Sequence, residues 1–399
     1  MIADRISQVE VVSARATAFD RSEADAWHGG ESWERGARHA RVTRHAARMP
    51  QTMPRVLVVG IVPSLTWSVT RCLARAGMRP VVLGWHRASP LSLLPDCSYV
   101  PMRDVRWSND EIEPALLDQI ETVCREREID QVVPVDFPTV LLLSRYGAAL
   151  SEARVCAVPA AETMLHLHNK WHFSCAVGRL GLSQPRTEIA HSDQALLDTA
   201  LPFPIITKPV DRWASVGFQI HRSREELVAR IAANGLGAPF PLLVQEFIPG
   251  RDVGFAFLAR HGRLIAHAAF EQPRRGARRY FDAPELRRAV ATLLAATGYH
   301  GVGEIDARYD PSCGEYRLLE INPRFWASLL YAQHAGMNFP ELLVRMDELG
   351  EGPGFNAGNG NVRLSAYEVM VAKSVLLAER ARNLTGDWLS ARRHARTLG

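Results

Sequence analysis

Short apolar runs alternate with helically spaced apolar residues through the first half of the chain. Runs rich in β-branched residues predict buried parallel strands at 55–60, 80–84, 130–135 and 154–158. Helical spacing predicts helices between them at 64–76, 109–127 and 140–150. This alternation is typical of a doubly wound α/β sheet. The turn after the first strand lacks GxGxxG spacing, so we predict a scaffold that supplies part of a substrate pocket rather than a dinucleotide site.

The pattern changes in the second half, where strands follow one another as hairpins. A long helical segment at 160–182 comes first, and further strands are predicted at 204–209, 241–248, 253–260, 264–269, 303–307 and 316–322. Helices are predicted at 224–233, 285–297 and 338–348, and terminal helices at 365–383 and 387–397. The Gly- and Asn-rich residues 350–361 predict a linker. The fold class is therefore α/β, with α+β character in the C-terminal part.

Composition excludes several classes of protein. Of 399 residues, 47% are hydrophobic and 23% charged, as in ordinary globular proteins, and no apolar run is long enough to span a membrane. The six cysteines form no CxxC pair, which favours reduced thiols. With no signal-peptide pattern at the N-terminus, we expect a cytoplasmic protein. The net charge of +4 is concentrated near the ends without a recognition motif, so nucleic acid is not an expected partner.

The segment 316–328, YRLLEINPRFWAS, is the richest in candidate chemistry. Glu320 and Asn322 lie two residues apart on a predicted strand and therefore share a face. Pro323 ends the strand, and Arg324 follows it. A turn at 310–314 would pair this strand with the preceding one and bring Asp306 opposite the two oxygen donors, a set that suits Mg²⁺. The alternative is an edge hairpin with solvated acids.

Two lysines and a strand end supply the remaining candidates. Lys170 and Lys208 stand in apolar surroundings, where each would be a compact charge for phosphate oxygens; surface lysines are the alternative. Ser215, in the loop after Lys208, offers a backbone N–H to phosphates. The stretch Gln245, Glu246, Phe247 and Ile248 ends a strand where backbone groups can meet an adenine edge. Asp252 follows, where a carboxylate can accept ribose hydroxyls.

A basic stretch, residues 271–280, carries four arginines between a hairpin and the next predicted helix. Guanidinium groups bind carboxylates through paired hydrogen bonds, so this stretch could bind an anionic acid. A solvated basic loop is the alternative.

Residues 54–345 resemble the ATP-grasp superfamily of carboxylate–amine ligases. The resemblance is carried by TKP at 207–209, QEFIPG at 245–250 and EINPRFWAS at 320–328. Within the superfamily, the chain is similar to the branch that includes the ATP-binding modules of carbamoyl phosphate synthetase. The resemblance implies a Rossmann-like domain at 53–160, a small ATP-grasp subdomain at 161–240 and a large subdomain with the metal site at 241–349. Composition and pattern add a mobile basic extension at 1–52 and a linker with C-terminal helices at 350–399. The loop 211–217 departs from the family's Gly-rich pattern, which bears on its closure.

The resemblance also implies a role for each candidate residue. Lys170 and Lys208 would contact the nucleotide phosphates. The adenine would be contacted by Gln245, Glu246 and Ile248, and the ribose by Asp252. Magnesium, or manganese in its place, would be bound by Asp306, Glu320 and Asn322. Arg324 would stabilise the acyl phosphate or the transferring phosphoryl group, and Glu304 would support it.

The implied activity is an ATP- and Mg²⁺-dependent ligase. It would activate a small carboxylic acid, an amino acid among the candidates, as an acyl phosphate and join it to an amine, giving ADP and phosphate. The partners are then a small-molecule acid and amine, with a homodimer left open. Two alternatives stay open: a small-molecule kinase on the same fold, and a catalytically inert nucleotide-binding module.

Overall fold

The computed structural model describes residues 53–377, apart from 86–88, 94, 96, 104, 106–111, 213–215, 275 and 350–354. The predicted basic extension at 1–52 and the predicted helix at 387–397 lie outside the described residues. Within the described part of the chain, no helix is both long and apolar enough to cross a membrane.

A five-stranded parallel sheet occupies the first part of the structure. Its strands are β1 (Val56–Gly60), β2 (Val81–Gly84), β3 (Ser98–Pro101), β4 (Gln131–Pro134) and β5 (Arg154–Val155), in the order β3-β2-β1-β4-β5. The helices between them are α1 (Pro63–Arg75), α2 (Leu116–Arg127) and α3 (Phe137–Tyr146). The doubly wound prediction is confirmed, with β3 as an additional strand. Helix α2 begins later than predicted, because Pro114 precedes its first turn.

Asp136 joins the ends of β1 and β4. Its carboxylate accepts hydrogen bonds from the N–H groups of Ile61 (2.6 Å) and Val62 (2.9 Å), and it caps α3 through Thr139. The side chain is 1% exposed. One buried carboxylate thus satisfies the backbone of two loops at the carboxyl edge of the sheet, where substrates bind in doubly wound folds.

The second sheet, called the small sheet below, is antiparallel and has four strands. These are β6 (Thr187–Ala190), β7 (Ile205–Pro209), β8 (Gln219–His221) and β9 (Leu242–Glu246), in the order β6-β9-β7-β8. The helix α4 (Ala161–His168) precedes it and packs against α3. The helices that contact the sheet are α5 (Lys170–Arg179), α6 (Asp193–Leu197) and α7 (Arg224–Ala232).

The single helix predicted at 160–182 is wrong, because the chain breaks at Asn169. The Asn169 side chain accepts hydrogen bonds from the N–H groups of Trp171 and His172, both at 3.1 Å, and so caps a new helix. Lys170 consequently stands at the first position of α5 rather than in the middle of a helix.

The third sheet, called the large sheet below, has seven strands. They are β10 (Arg251–Arg260), β11 (Arg263–Glu271), β12 (Ala277–Phe281), β13 (Gly301–Asp310), β14 (Glu315–Asn322), β15 (Phe355–Asn356) and β16 (Gly360–Arg363). The order is β14-β13-β10-β11-β12-β16, and β15 pairs with β11. The helices are α8 (Pro284–Thr297), α9 (Leu329–His334), α10 (Phe339–Val344) and α11 (366–377).

Two predictions in this region need correction. The segment 350–399 is more than a linker with helices, because β15 and β16 pair with the large sheet. The basic stretch 271–280 is more than a loop, because its second half forms β12. In both cases an available sheet edge satisfies backbone groups that composition alone would leave to solvent.

The two faces of the large sheet pack against different partners. Val253, Phe255 and Phe257 of β10 share a core with α8. Ala256 and Leu258, on the opposite face, share a core with α1 and α10. The remainder of that second face lies open toward the small sheet, and this opening positions the site described below.

We predict that Asp136→Ala lowers the free energy of unfolding by about 2–4 kcal/mol, because it removes a helix cap and leaves two buried N–H groups without an acceptor. Urea denaturation followed by circular dichroism measures this. Asp118→Ala, at an exposed position of α2, is the control and should change stability by no more than about 0.5 kcal/mol. Equal stabilities for the two variants would contradict the role assigned to Asp136.

Candidate active site

A cleft of about 640 Å³ lies between the small sheet and the large sheet. It is lined by ten of the residues predicted from the sequence: Lys170, Lys208, Gln245, Glu246, Phe247, Ile248, Asp252, Glu304, Asp306 and Glu320. Asn322 and Arg324 contact this set from behind. Ser215 lies outside the described residues. Residues separated by up to 150 positions in the sequence therefore meet in one place.

The last hairpin has the register that the sequence predicts. Asp306 pairs with Glu320, and Glu304 pairs with Asn322. The Asn322 amide donates to Asp306 Oδ2 at 3.2 Å. Although β14 is an edge strand, α5 packs against it, and both acids face the cleft rather than bulk solvent. We refer to Asp306, Glu320 and Asn322 as the acidic group.

Two buried lysines face the acidic group from the other side of the cleft. Lys208 Nζ lies 3.4 Å and Lys170 Nζ 3.8 Å from Glu320 Oε2. The lysines are only 8% and 7% exposed. Burial disfavours the charged form of Glu320, but the two ammonium groups outweigh it and lower the pKa of this carboxyl below its ordinary value. Burial also lowers the pKa of Lys170.

Lys170 is also anchored to the loop that follows β7. Its main-chain N–H donates to the Val210 carbonyl at 2.8 Å, and its Nζ donates to the Arg212 carbonyl. The helix start at Asn169 makes the main-chain contact available, since the first N–H groups of a helix have no partner within it.

Two further carboxyl groups of the cleft, those of Asp306 and Glu304, are held where their charged forms are disfavoured. Burial, and then the charge of Glu320, raises the pKa of Asp306 to about 7. Burial, and then Asp306, raises the pKa of Glu304 well above its ordinary value. A divalent cation between Asp306 and Glu320 would relieve this repulsion.

The donor set itself fits a hard cation. Among the described residues, no group of three or more His, Cys, Asp or Glu side chains is arranged to hold a metal. The acidic group instead offers two carboxylates and one carboxamide, all hard oxygen donors. Mg²⁺ commonly binds through one or two carboxylates and completes its shell with water and phosphate oxygens.

Arg324 lies beneath the acidic group. Its Nη2 donates to Asn322 Oδ1 at 3.3 Å and its Nη1 donates to the Phe325 carbonyl. Burial lowers the pKa of Arg324, while Glu304 and Asp136 act in the opposite direction. An arginine stays charged in such a setting. Arg324 therefore adds a fixed positive charge between the acidic group and the first sheet.

The stretch 245–252 forms one wall of the cleft. The Gln245 side chain donates to Thr187 Oγ1 at 3.1 Å, and the Glu246 carboxylate pairs with Arg186. Both side chains are thus engaged within or beside the small sheet.

Sequence reasoning missed Arg308, which organises this wall. Its Nε donates to the Ile248 carbonyl at 2.6 Å, its Nη2 donates to the Gly250 carbonyl at 3.1 Å, and its Nη1 pairs with Asp252. Its guanidinium carbon lies 5.6 Å from the centre of the Phe247 ring. The available signal was its position two residues after Asp306 on the same strand face.

A comparison with known protein families matches residues 239–366 to a family described as "ATP-grasp in the biosynthetic pathway with Ter operon". Among solved structures, the biotin carboxylase domain of 2-oxoglutarate carboxylase from Hydrogenobacter thermophilus superimposes with a TM-score of 0.58 at 15% identity, over 78% of this chain and 74% of that one. The L-amino acid ligase of Bacillus licheniformis gives 0.55 at 16% identity, over 74% and 75%. Residues 239–366 therefore match an ATP-grasp family, and the chain shares the fold of these solved structures. The resemblance predicted from the sequence is confirmed.

Curated relatives of this chain include amino acid ligases. The D-aspartate ligase of Enterococcus faecium is 26% identical in an alignment of 233 residues that covers 51% of this chain and 55% of that protein. A D-alanine–D-alanine ligase of Acidiphilium cryptum is 30% identical in an alignment of 187 residues that covers 41% of this chain and 59% of that protein. The chain thus spans little more than half the length of the curated relatives it matches.

In the metal-free protein, the contribution of Asp306 to the free energy of unfolding should fall as pH rises from about 4 to about 7. Asp306 titrates near 7 in the folded state but near 3.8 when unfolded, so in this window the folded state binds more protons. Asp306→Asn removes this contribution. The stability of the wild type relative to the variant should therefore fall across the window, as measured by urea denaturation in the presence of a chelator.

Asp310→Asn, on the same strand, is the control. The Ser312 hydroxyl and N–H lower the pKa of Asp310, so its contribution is complete above about 4 and should stay constant across the window. A pH dependence for Asp306→Asn that parallels the wild type would contradict the assigned electrostatics.

Proposed function

We propose that this protein is an ATP-dependent ligase that activates a small carboxylic acid and joins it to an amine. One observation carries the proposal: two buried lysines, Lys170 and Lys208, face the acidic group across a cleft, and Arg324 contacts that group from behind. Such an arrangement suits a ligand whose charge is strongly negative and is shared with a metal ion. The ligase relatives support the same reading.

The nucleotide is assigned to the wall formed by residues 245–252. Main-chain groups of Glu246 to Ile248 would meet the adenine edge, and Asp252 would accept ribose hydroxyls. The solved Hydrogenobacter structure, which contains magnesium ADP, supports an adenine nucleotide in this fold. Phosphates then extend toward Lys170 and Lys208, whose ammonium groups are compact charges for phosphate oxygens.

Asp306, Glu320 and Asn322 would hold Mg²⁺, and Mn²⁺ would fit the same oxygen donors. When bound, the metal ion supplies positive charge to the phosphate oxygens. Side chains of the protein supply the remaining positive charge. Lys208 and Lys170 neutralise oxygens of the transferring phosphoryl group, and Arg324 does so from the side of the first sheet.

The reaction then proceeds in two balanced steps. A carboxylate oxygen of the acid attacks the γ-phosphorus of ATP, the bond to the ADP oxygen breaks, and an acyl phosphate forms. The amine nitrogen next attacks the acyl carbon, the bond to the phosphate oxygen breaks, and the surplus proton leaves the amine. The side chains of the cleft position these groups and exclude water, which would otherwise hydrolyse the acyl phosphate.

An ADP-release assay over pairs of amino acids and amines tests the function. The wild type should bind ATP in the presence of Mg²⁺ by calorimetry and release ADP in proportion to amide product. Glu320→Gln should lower turnover by about 10²–10³-fold, because a charge that organises the transferring group is lost. Circular dichroism should show that the variant is folded.

Glu315→Gln, at an exposed position of the same strand, is the matched control and should keep full turnover. Failure of the folded wild type to bind ATP would remove the proposal. Retained activity in Glu320→Gln would contradict the assignment of the acidic group, and a stable phosphorylated acid with no amide product would instead identify a kinase.

Arg308 is expected to determine nucleotide affinity rather than chemistry. Arg308→Met removes hydrogen bonds to the Ile248 and Gly250 carbonyls and to Asp252, so KM for ATP should rise by about 10–100-fold while kcat changes little. Discrimination between ATP and GTP should fall as well, which a purely structural role would not cause. Arg288→Met on α8 is the control; an Arg308 variant with unchanged KM and lowered kcat would exclude this role.

A further inference from the structure

One arginine of the basic stretch is turned toward the cleft. Arg278, on β12, is among the lining residues. Its guanidinium carbon lies 4.9 Å from the centre of the Tyr331 ring, and its Nη1 donates to the Ala277 carbonyl at 3.0 Å. Its Nε is shielded from solvent and bonds to no group among the described residues. The adjacent Arg279 is engaged differently, in an ion pair with Glu271 at 2.6 Å.

A second buried donor lies nearby. Tyr280, two residues along the same face of β12, is 1% exposed. Within the described part of the chain, its hydroxyl also bonds to no partner. Arg278 and Glu304 are both among its electrostatic neighbours. A ligand group rich in acceptor oxygens would satisfy these two donors.

Arg278 and Glu304 both line the cleft, and Tyr280 is buried within electrostatic range of both. Glu304 precedes Asp306 by two residues on β13, so the two Cα positions are about 6.6 Å apart. Arg278 lies within electrostatic range of Glu304. A short acid with one carboxylate at the acidic group could therefore present its other end to Arg278. The competing explanation is that Arg278 only neutralises Glu304.

We infer that Arg278 binds a second anionic group of the acid substrate, which makes that substrate a small dicarboxylic acid, the acidic amino acids included. The inference rests on the proposed ligase function for the placement of the reacting carboxylate. Arg278 supplies the positive charge and paired N–H groups, as guanidinium groups do for carboxylates. Tyr280 supplies a further O–H donor on the same face.

The test compares acids with their uncharged isosteres. Aspartate and glutamate, in both enantiomers, are titrated against asparagine and glutamine by calorimetry on the full chain with ADP and Mg²⁺. The same acids are then assayed for ADP release with a panel of amines. The wild type should prefer the acids by about 10–100-fold, since a hydrogen bond to a charged group is worth one to two powers of ten in affinity.

Two variants locate the preference. Arg278→Gln should reduce the acid-to-amide ratio to about one while leaving ATP binding within about twofold. Tyr280→Phe, which removes only a buried hydroxyl, should lower the ratio by about 3–10-fold and keeps the inference testable if Arg278→Gln does not fold. Arg279→Gln is the matched control, because Glu271 keeps its contact to Arg251 at 2.9 Å, and its ratio should match the wild type.

The outcomes separate the two proposals. If acids bind preferentially and Arg278→Gln removes the preference, but no amine supports ADP release, the ligase proposal fails and the role of Arg278 stands. If the wild type shows no preference for acids over amides in either measurement, the inference is overturned. It is also overturned if Arg278→Gln retains the preference, since that is the result expected of a residue that only neutralises Glu304.

Discussion

The ion cluster around Glu320 is the interaction on which the cleft depends. Lys208 comes from the small sheet, Lys170 from α5, and Glu320 from the edge of the large sheet. Isolated charges at such depth would be costly, and each becomes tolerable only through the others. The cluster therefore connects the small sheet, α5 and the large sheet by charge. Removing Glu320 would leave two neighbouring buried ammonium groups without a counter-charge, which sets this group apart from an ordinary surface ion pair.

Further polar side chains hold neighbouring segments in place on both sides of this ion cluster. Toward the first sheet, Arg324 lies between the acidic group and Asp136, and Asp136 orders the ends of two parallel strands. Toward the small sheet, Arg308 holds the carbonyl groups of residues 248 and 250. The cleft is thus bordered by positive side chains that are each fixed by hydrogen bonds. A site of this kind needs little rearrangement to receive an anionic ligand.

The sequence was informative where local geometry decides the outcome. The period of two along 320–322 and the turn at 310–314 were enough to place Asp306 opposite Glu320, because hairpin pairing is a short-range property. The alternation of strands and helices likewise predicted the parallel sheet. Lys208 was recognisable from its apolar neighbours, although its distance to Glu320 was not.

Long-range and edge effects were beyond the sequence. Residues 355–363 read as a linker by composition, and only the unpaired edges of β11 and β12 explain why they become strands. Arg308 looked like one more charged strand residue, since its three acceptors lie about sixty positions away in the chain. The sequence has helical spacing on both sides of Asn169, which hides the break. The Asn169 side chain nevertheless caps a new helix and so separates it from the preceding one. That break also has a mechanical consequence. Lys170 donates hydrogen bonds to the carbonyl groups of Val210 and Arg212, one from its main chain and one from its ammonium group. A shift of these two residues would therefore either move a cation of the cluster with them or break its hydrogen bonds, so movement of this segment is coupled to charge compensation in the cleft.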